Sequence, residues 1–403
     1  MSGDLSRAEQ TLSSGVEDLI PREELKAKLR ESEKEGRPLR VKLGVDPSSP
    51  DLTLGHAAVF RKLRQFQDLG HTAVLVVGDF TRRIGDPSGR SQTRSVMSAE
   101  EIEENMVDYE RQAFRILDPE RTEFRYNSEW LGKLSFEDII ELTSKYTVAR
   151  MLERDDFSTR YQNNQPISIL EFLYPLAQAY DSVAIDADVE LGGSDQRFNL
   201  LIGRHIQREF NQEPQIILTV PLLEGTDGEM AMSQTRGNYI GLNEPPAEVY
   251  GKVMSLPDKV MPNYFRLLTE VSFRELKDLH PKEQKKRLAR EVVGLIYSAV
   301  EAQHAEEEFE QVFEQGEKPS QMKEIQLSSD QIKEDGTVWI VDLLDISGFA
   351  SSRSEARRLV KQGGVKVDDE KVETVDCDPL LDERLILQVG KTNFARFLPP
   401  EEE

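Results

Sequence analysis

Tyr174, Gln178 and Asp181 stand at i, i+4 and i+7, the spacing that puts three polar side chains on one face of a helix. Leu173, Leu176 and Val183 flank them, so the face reads as a pocket wall where a carboxylate and an amide meet a hydroxyl or an ammonium. An ordinary amphipathic helix gives the same pattern. A second stretch, Val45-Asp-Pro-Ser-Ser-Pro-Asp-Leu-Thr-Leu-Gly-His56, leads from an expected strand through a Pro-rich turn into an expected helix near Gly55. Helix starts hold unpaired N–H groups and a positive dipole end, which suit a phosphate. Gly55 has no Cβ to keep a base or ribose off the backbone, and His56 can donate to a phosphate oxygen as charge develops. The plain alternative is a capped helix start with a surface histidine.

Three further stretches add polar groups. Gly78-Asp-Phe-Thr-Arg-Arg-Ile-Gly-Asp-Pro-Ser-Gly-Arg90 follows an expected central strand; Asp86 is a candidate acceptor for an ammonium, and Arg90 and Arg94 are candidate phosphate contacts. Leu191-Gly-Gly-Ser-Asp-Gln196 reads as a tight loop in which Asp195 and Gln196 can grip ribose or amine groups. Gly228 and Gly237 bracket a loop with Ser233, Gln234, Thr235 and Arg236, whose hydroxyl, amide and guanidinium donors can close over a triphosphate.

The elements that position these groups read as α/β. Strands are expected at Leu39–Val45, Ala73–Val77, Glu123–Tyr126 and Ile216–Val220, and a helix at Gly55–Leu69 with Val59, Phe60, Leu63 and Phe66 on one face. The unbroken apolar run at Ala73–Val77 fits a parallel sheet covered on both sides. Strand, turn, helix and strand within about forty residues make a βαβ unit, the start of a Rossmann-like parallel-sheet domain. The 403 residues divide into an N-terminal helical segment (1–37), a Rossmann-like catalytic domain (38–245), a helical domain (246–320), a linker (321–337) and a small α+β domain (338–403).

Composition excludes several classes. No run approaches a membrane span, and the opening MSGDLSRAEQ has no apolar signal core, so a cytoplasmic protein without membrane contact is expected. A single cysteine, Cys377, allows no intrachain disulfide, and five scattered histidines show no metal-ligand spacing. The net charge of −23 argues on average against a polyanionic partner. The average conceals Ser352-Arg-Ser-Glu-Ala-Arg-Arg-Leu-Val-Lys-Gln-Gly-Gly-Val-Lys-Val367, where Arg353, Arg357 and Lys361 form a basic stripe while Ala356, Leu359 and Val360 turn inward.

In this order, these stretches resemble bacterial tyrosyl-tRNA synthetases, class I aminoacyl-tRNA synthetases with a C-terminal S4 domain. The phrases Leu-Arg-Gln-Phe-Gln-Asp-Leu-Gly-His (63–71), Tyr-Asn-Ser-Glu-Trp-Leu-Gly (126–132) and Thr-Val-Ala-Arg-Met-Leu-Glu-Arg-Asp-Asp-Phe (147–157) extend the likeness over most of residues 38–400. The resemblance implies ATP-driven formation of tyrosyl-adenylate, with Mg²⁺ arriving on ATP, no tightly bound cofactor, and transfer of L-tyrosine to the 3′ end of tRNA(Tyr). It implies a homodimer with its interface near residues 130–160.

It also implies residue roles. Thr53-Leu-Gly-His56 matches the HIGH signature and Ala231-Met232-Ser233-Gln234-Thr235 the KMSKS loop, so Thr53, His56, Ser233, Gln234 and Arg236 are the expected catalytic groups. Asp46, Ser48, Gly55, Asp195, Gln196 and the 231–235 loop would line the ATP side. Asp86, Tyr174 and Gln178 would hold the substrate ammonium, Asp181 would accept from the phenol, and Asn127 would join that pocket. Lys42 falls where some relatives place a tyrosine that touches the phenol. Arg90, Arg94, Arg353, Arg357 and Lys361 would contact tRNA. Two departures stand out: the first signature histidine is Thr53, whose hydroxyl can still donate to phosphate, and both KMSKS lysines are missing, replaced by Ala231 and Gln234, with Arg236 the nearest cation. A synthetase-like paralogue that binds RNA or supplies adenylate with weakened catalysis, and a tryptophan enzyme, are the competing readings.

Overall fold

The computed structural model describes residues 2–47, 50–86, 98, 100, 101, 104, 108–313, 322–390 and 393–400. They fall into two compact units, Met1–Ala302 and Gln303–Glu403. Within these we propose the subdivision at 37, 245 and 320 that the sequence suggests.

The first unit is built on a six-stranded sheet: β1 (Asp18–Ile20), β2 (Arg40–Val45), β3 (Thr72–Val77), β4 (Thr122–Tyr126), β5 (Val189–Gly193) and β6 (Ile216–Val220), in the order β1-β6-β5-β2-β3-β4. Five strands are parallel, and β1 pairs antiparallel with β6. β3 and β6 are apolar on both faces because both are covered, and Ala73 to Val77 and Ile216 to Val220 are buried throughout. The chain leaves β2 toward β3 and β4, then returns to lay β5 on the other side of β2. That reversal opens a crevice at the carboxyl ends of β2 and β5, where ligands settle in such sheets.

Two strands depart from the sequence reading. β1 lies in the segment read as helical; three residues are too few to show alternation, and the pairing Asp18↔Thr219 to Ile20↔Ile217 ties that segment into the sheet. β5 covers the start of the stretch read as a loop, because Gly192, Gly193 and the acidic Glu190 disguise a central strand. The helix Leu54–Asp68 packs Ala57, Phe60, Leu63 and Phe66 inward, and the helix Ile169–Ala184 buries Tyr174, Leu176, Ala177 and Asp181.

In the second unit β7 (Lys323–Gln326), β8 (Val365–Val367), β9 (Glu370–Lys371), β10 (Leu385–Val389) and β11 (Asn393–Leu398) form a sheet ordered β7-β11-β10-β8-β9, with the helices Ile340–Ile346 and Arg353–Lys361 beside it. The stretch read as a linker, 321–337, therefore carries an edge strand: β7 pairs parallel with β11, and Leu327 joins the core. Ala356 and Val360 face inward while Arg353, Arg357 and Lys361 are exposed, as the stripe requires. Arg353 donates to Asp342 (2.8 Å), and the Arg353 and Arg357 guanidiniums lie 6.0 and 5.3 Å from the Trp339 ring centroid.

Candidate active site

A cleft of about 380 Å³ opens at the carboxyl ends of the parallel strands. Each strand supplies its wall just past its last residue: Asp46 after β2, Gly78, Thr81 and Asp86 after β3, Asn127 after β4, Asp195 and Gln196 after β5, and Pro221 to Leu223 after β6. The helix Ile169–Ala184 adds Tyr174, Gln178 and Asp181, and the helix Leu54–Asp68 presents its start, with Thr53, Gly55 and His56. Two structural elements far apart in sequence thus face one space, a pocket wall and a helix N-terminus.

Asp181 is 3% exposed and closes one part of the cleft. Trp130 Nε1–H donates to its Oδ1 at 2.8 Å and Asn127 Nδ2–H to its Oδ2 at 3.3 Å. Burial pushes its carboxyl up to about 7, against the opposing pull of the Lys42 charge and of these two donors. Asn127 is itself pinned, accepting from the Phe80 backbone N–H (2.9 Å) and donating to Thr81 Oγ1 (3.0 Å).

A second polar group is built around Asp46. The Tyr174 hydroxyl donates to Asp46 Oδ2 (2.7 Å) and the Thr81 hydroxyl to Oδ1 (3.2 Å). Burial, then the neighbouring Asp86 charge, raise the Asp46 carboxyl to about 6. Gln196 Nε2–H donates to Asp86 (3.0 Å), and Asn199 bridges the Gln178 and Gln196 amide oxygens at 3.0 and 3.1 Å. Two carboxylates and the Gln178 amide oxygen crowded together favour an arriving cation, since it relieves the repulsion that raises Asp46.

The helix start has a specific internal geometry. His56 Nδ1 accepts from the Thr53 backbone N–H (3.1 Å) and lies 3.0 Å from the Thr53 hydroxyl, a capping box. A backbone N–H can only donate, so Nδ1 is unprotonated and the ring carries its proton on Nε2. Burial lowers the imidazole to about 4, so His56 is neutral near pH 7. Thr53 is thereby engaged with His56, where the sequence reading gave its hydroxyl to phosphate.

The 231–235 loop is only partly in place. Met232 reaches the cleft; Ala231, Ser233, Gln234 and Thr235 do not line it. Gln234 Nε2–H donates to the Asp51 carbonyl (2.5 Å), docking the loop on the turn before the helix start, and the exposed Arg236 donates to the Ala231 carbonyl (3.1 Å). Lys42 is a correction: it is 0% exposed and lies behind the wall, paired with Glu190 at 2.8 Å. Ser48, Arg90 and Arg94 lie outside the described residues.

Sequence reasoning missed Trp130, Thr81 and Asn199. Trp130 follows Asn127 by three residues and Asn199 follows Gln196 by three, one helical turn in each case, which was the available signal.

The family model for class I tRNA synthetases (W and Y) matches residues 34–314, and the S4 domain model matches residues 338–375. The chain is 51% identical over 402 residues to the tyrosine–tRNA ligase of Moorella thermoacetica, covering 98% of this chain and 96% of that protein. It is 52% identical over 394 residues to that of Thermotoga maritima, with 96% of each covered. Among solved structures, a C-terminally truncated mitochondrial tyrosyl-tRNA synthetase from Aspergillus nidulans superposes with a TM-score of 0.63 at 21% identity, over 78% of this chain and all of that one. The tyrosyl-tRNA synthetase from Archaeoglobus fulgidus in complex with L-tyrosine gives 0.60 at 23%, over 75% and 99%. These last two likenesses show the fold.

Proposed function

Because this chain belongs to the class I tRNA synthetases of the tryptophan and tyrosine type, we propose that its cleft joins L-tyrosine to ATP and passes the product to tRNA(Tyr). It is a tyrosine–tRNA ligase. The observation that supports this division of the cleft is Asp181, buried at one part of a space whose other part is a helix start.

The phenol donates to Asp181, beside the Trp130 and Asn127 donors that orient the carboxylate. Asp86, Tyr174 and Gln178 hold the ammonium, and Asp46, Asp195 and Gln196 lie along the adenylate. The tyrosine carboxylate oxygen attacks the α-phosphorus, a new P–O bond forms, and the bond to pyrophosphate breaks. His56 Nε2–H meets the charge on the phosphates, helped by the positive end of the helix dipole; the Thr53, Leu54 and His56 N–H groups are already bonded to His56 Nδ1, the Ile240 carbonyl and the Thr53 carbonyl. Gly55 lines the cleft without a side chain, in a space where a Cβ would meet Thr53 Oγ1 at 3.4 Å and Met232 Cβ at 4.0 Å, and so leaves room for the nucleotide. Mg²⁺ would neutralise phosphate charge as part of the bound nucleotide; no group of metal-ligating side chains is assembled among the described residues. The S4 helix, through Arg353, Arg357 and Lys361, takes the tRNA backbone. No helix among the described residues is long and apolar enough to cross a membrane, and we place the reaction in the cytoplasm.

ATP–pyrophosphate exchange with tyrosine, phenylalanine and tryptophan tests the reading. Exchange driven by tyrosine alone supports it; preferential exchange with tryptophan, or tRNA binding without exchange, refutes it. With both loop ammoniums replaced, Arg236 is the cation nearest to them in the sequence, and it is the group taken to reach the triphosphate. Arg236→Ala is expected to lower the exchange rate about tenfold, as a lost charge-assisted contact of about 1.4 kcal/mol would. A wild-type rate would remove Arg236 from the step.

We also propose a homodimer. Phe136 (81% exposed), Ile140, Val148, Tyr161 and Ile169 (79%) leave large apolar side chains exposed between 136 and 170, a composition suited to the core of an interface. Ile169→Glu is expected to shift the mass seen by light scattering from two chains to one; an unchanged mass places the interface elsewhere.

A further inference from the structure

Lys42 lies on β2 opposite Glu190 of β5, wholly out of contact with solvent. Its ammonium pairs with Glu190 Oε1 at 2.8 Å and donates to the Gln178 carbonyl and the Ser182 hydroxyl, each at 2.9 Å. Both of the latter belong to the turn of the helix Ile169–Ala184 that carries Gln178 and Asp181. The cation thus fastens the specificity turn to the sheet from behind. Gly203 leaves room for this cluster: a Cβ there would fall 3.0 Å from Glu190 Oε2 and 3.4 Å from Ser182 Oγ.

We infer that Lys42 is a specificity-determining positioning residue: without touching substrate, its charge acts through Asp181 to keep that carboxylate in the accepting form that tells a phenol from a phenyl ring. Among the described residues, Trp130 and Asn127 donate to Asp181, and both are neutral. Of the charges that act on Asp181, Lys42 favours the carboxylate and Glu190 opposes it more weakly. Tyr174 faces it from the same helix, and Asp46 and Asp86 line the same cleft. Burial alone drives the Asp181 carboxyl toward neutrality, and its position near 7 is already the outcome with Lys42 in place. Removing the cation moves it higher, so at neutral pH Asp181 becomes a carboxylic acid. Its demand for a donor then weakens, and phenylalanine is no longer rejected by an unsatisfied buried charge.

The inference rests on Asp181 receiving the phenol. The experiment measures pyrophosphate exchange with tyrosine and with phenylalanine over about pH 6 to 9, and takes the ratio of the two kcat/KM values at each pH. The ratio cancels titrations that both substrates share, such as that of Asp46. In the wild type the ratio is expected to fall as pH drops through about 7. In Lys42→Met that fall moves to higher pH, and the ratio at pH 7 is about tenfold lower, equivalent to one pKa unit. Lys42→Arg, which keeps the charge, restores the profile.

Lys42→Met alone leaves Glu190 buried without its partner, so Lys42→Met/Glu190→Leu is measured beside it, with a thermal unfolding curve for each. The double variant is expected to shift in the same direction because Lys42 outweighs Glu190. A folded variant that lowers kcat/KM for both amino acids, yet leaves the pH dependence of their ratio where it was, reduces Lys42 to a structural ion pair and overturns the inference. A wild type without tyrosine-dependent exchange overturns the proposed function as well.

Discussion

Asp181→Ala is expected to collapse the preference for tyrosine over phenylalanine by about 10³-fold or more, measured as the ratio of kcat/KM in pyrophosphate exchange. Buried pairing sets the preference. Asp181 is 3% exposed, and its oxygens already accept from Trp130 and Asn127. A phenol hydroxyl completes the set, whereas a phenyl ring leaves a desolvated charge short of a donor. A site built to hydrogen-bond a substrate hydroxyl rejects the analogue lacking it by about 10⁴–10⁵, a range whose reference case is itself a tyrosyl synthetase. Alanine removes the reason for rejection, so activity with tyrosine falls while activity with phenylalanine rises. A variant that retains the wild-type ratio shows that selection resides elsewhere.

Gly78→Ala is expected to lower the exchange rate about 100-fold, the scale at which misplacement of an aligning group by about 1 Å is felt. Gly78 directly follows β3 and lines the cleft. A methyl there would overlap Asp46 Oδ1 and Thr81 Oγ1 and come within 3.2 Å of Asp46 Cγ. Asp46 accepts from the Tyr174 hydroxyl at 2.7 Å, so the displacement passes to the helix that carries Tyr174, Gln178 and Asp181. The backbone at Gly78 lies outside the left-handed region, so alanine adds crowding without dihedral strain. A wild-type rate in Gly78→Ala would mean that the Asp46 carboxylate is free to relocate.

The parts of this architecture that burial writes as apolar runs could be read directly. β2, β3 and β6, and the amphipathic helix after the signature turn, appear in the sequence within a residue or two of where they lie, as does β4, although its Thr-Glu-Phe-Arg-Tyr is only half-buried. What escaped reading is what burial writes with polar or small residues. β5 is a central strand that contains a buried glutamate and two glycines, because Glu190 serves Lys42 and the glycines clear space beside Gln196, Leu200 and Leu222. β1 and β7 are short edge strands whose pairing partners lie roughly 200 and 70 residues away, a distance that local periodicity does not reveal.

The site divides in the same way. Tyr174, Gln178 and Asp181 were legible because helical spacing brings them to one face, and the structure lines them along one wall. Trp130 and Asn199 were not, since an aromatic or an amide on a helix is usually ordinary packing. Lys42 was legible as a residue of interest but not in its placement, because a lysine with no exposure is rare unless a carboxylate waits for it, and that carboxylate sat in the disguised strand.

The pairing of Thr53 with His56 has a consequence for the kind of catalysis this cleft can perform. With Nδ1 occupied by a backbone amide and the ring uncharged, the imidazole has one hydrogen to point and no vacancy through which to relay another. It behaves as an oriented electric dipole, not as a shuttle. In the function proposed above, bond exchange at phosphorus would draw no hydrogen through this histidine, whose share would be a field held still before the nucleotide arrives.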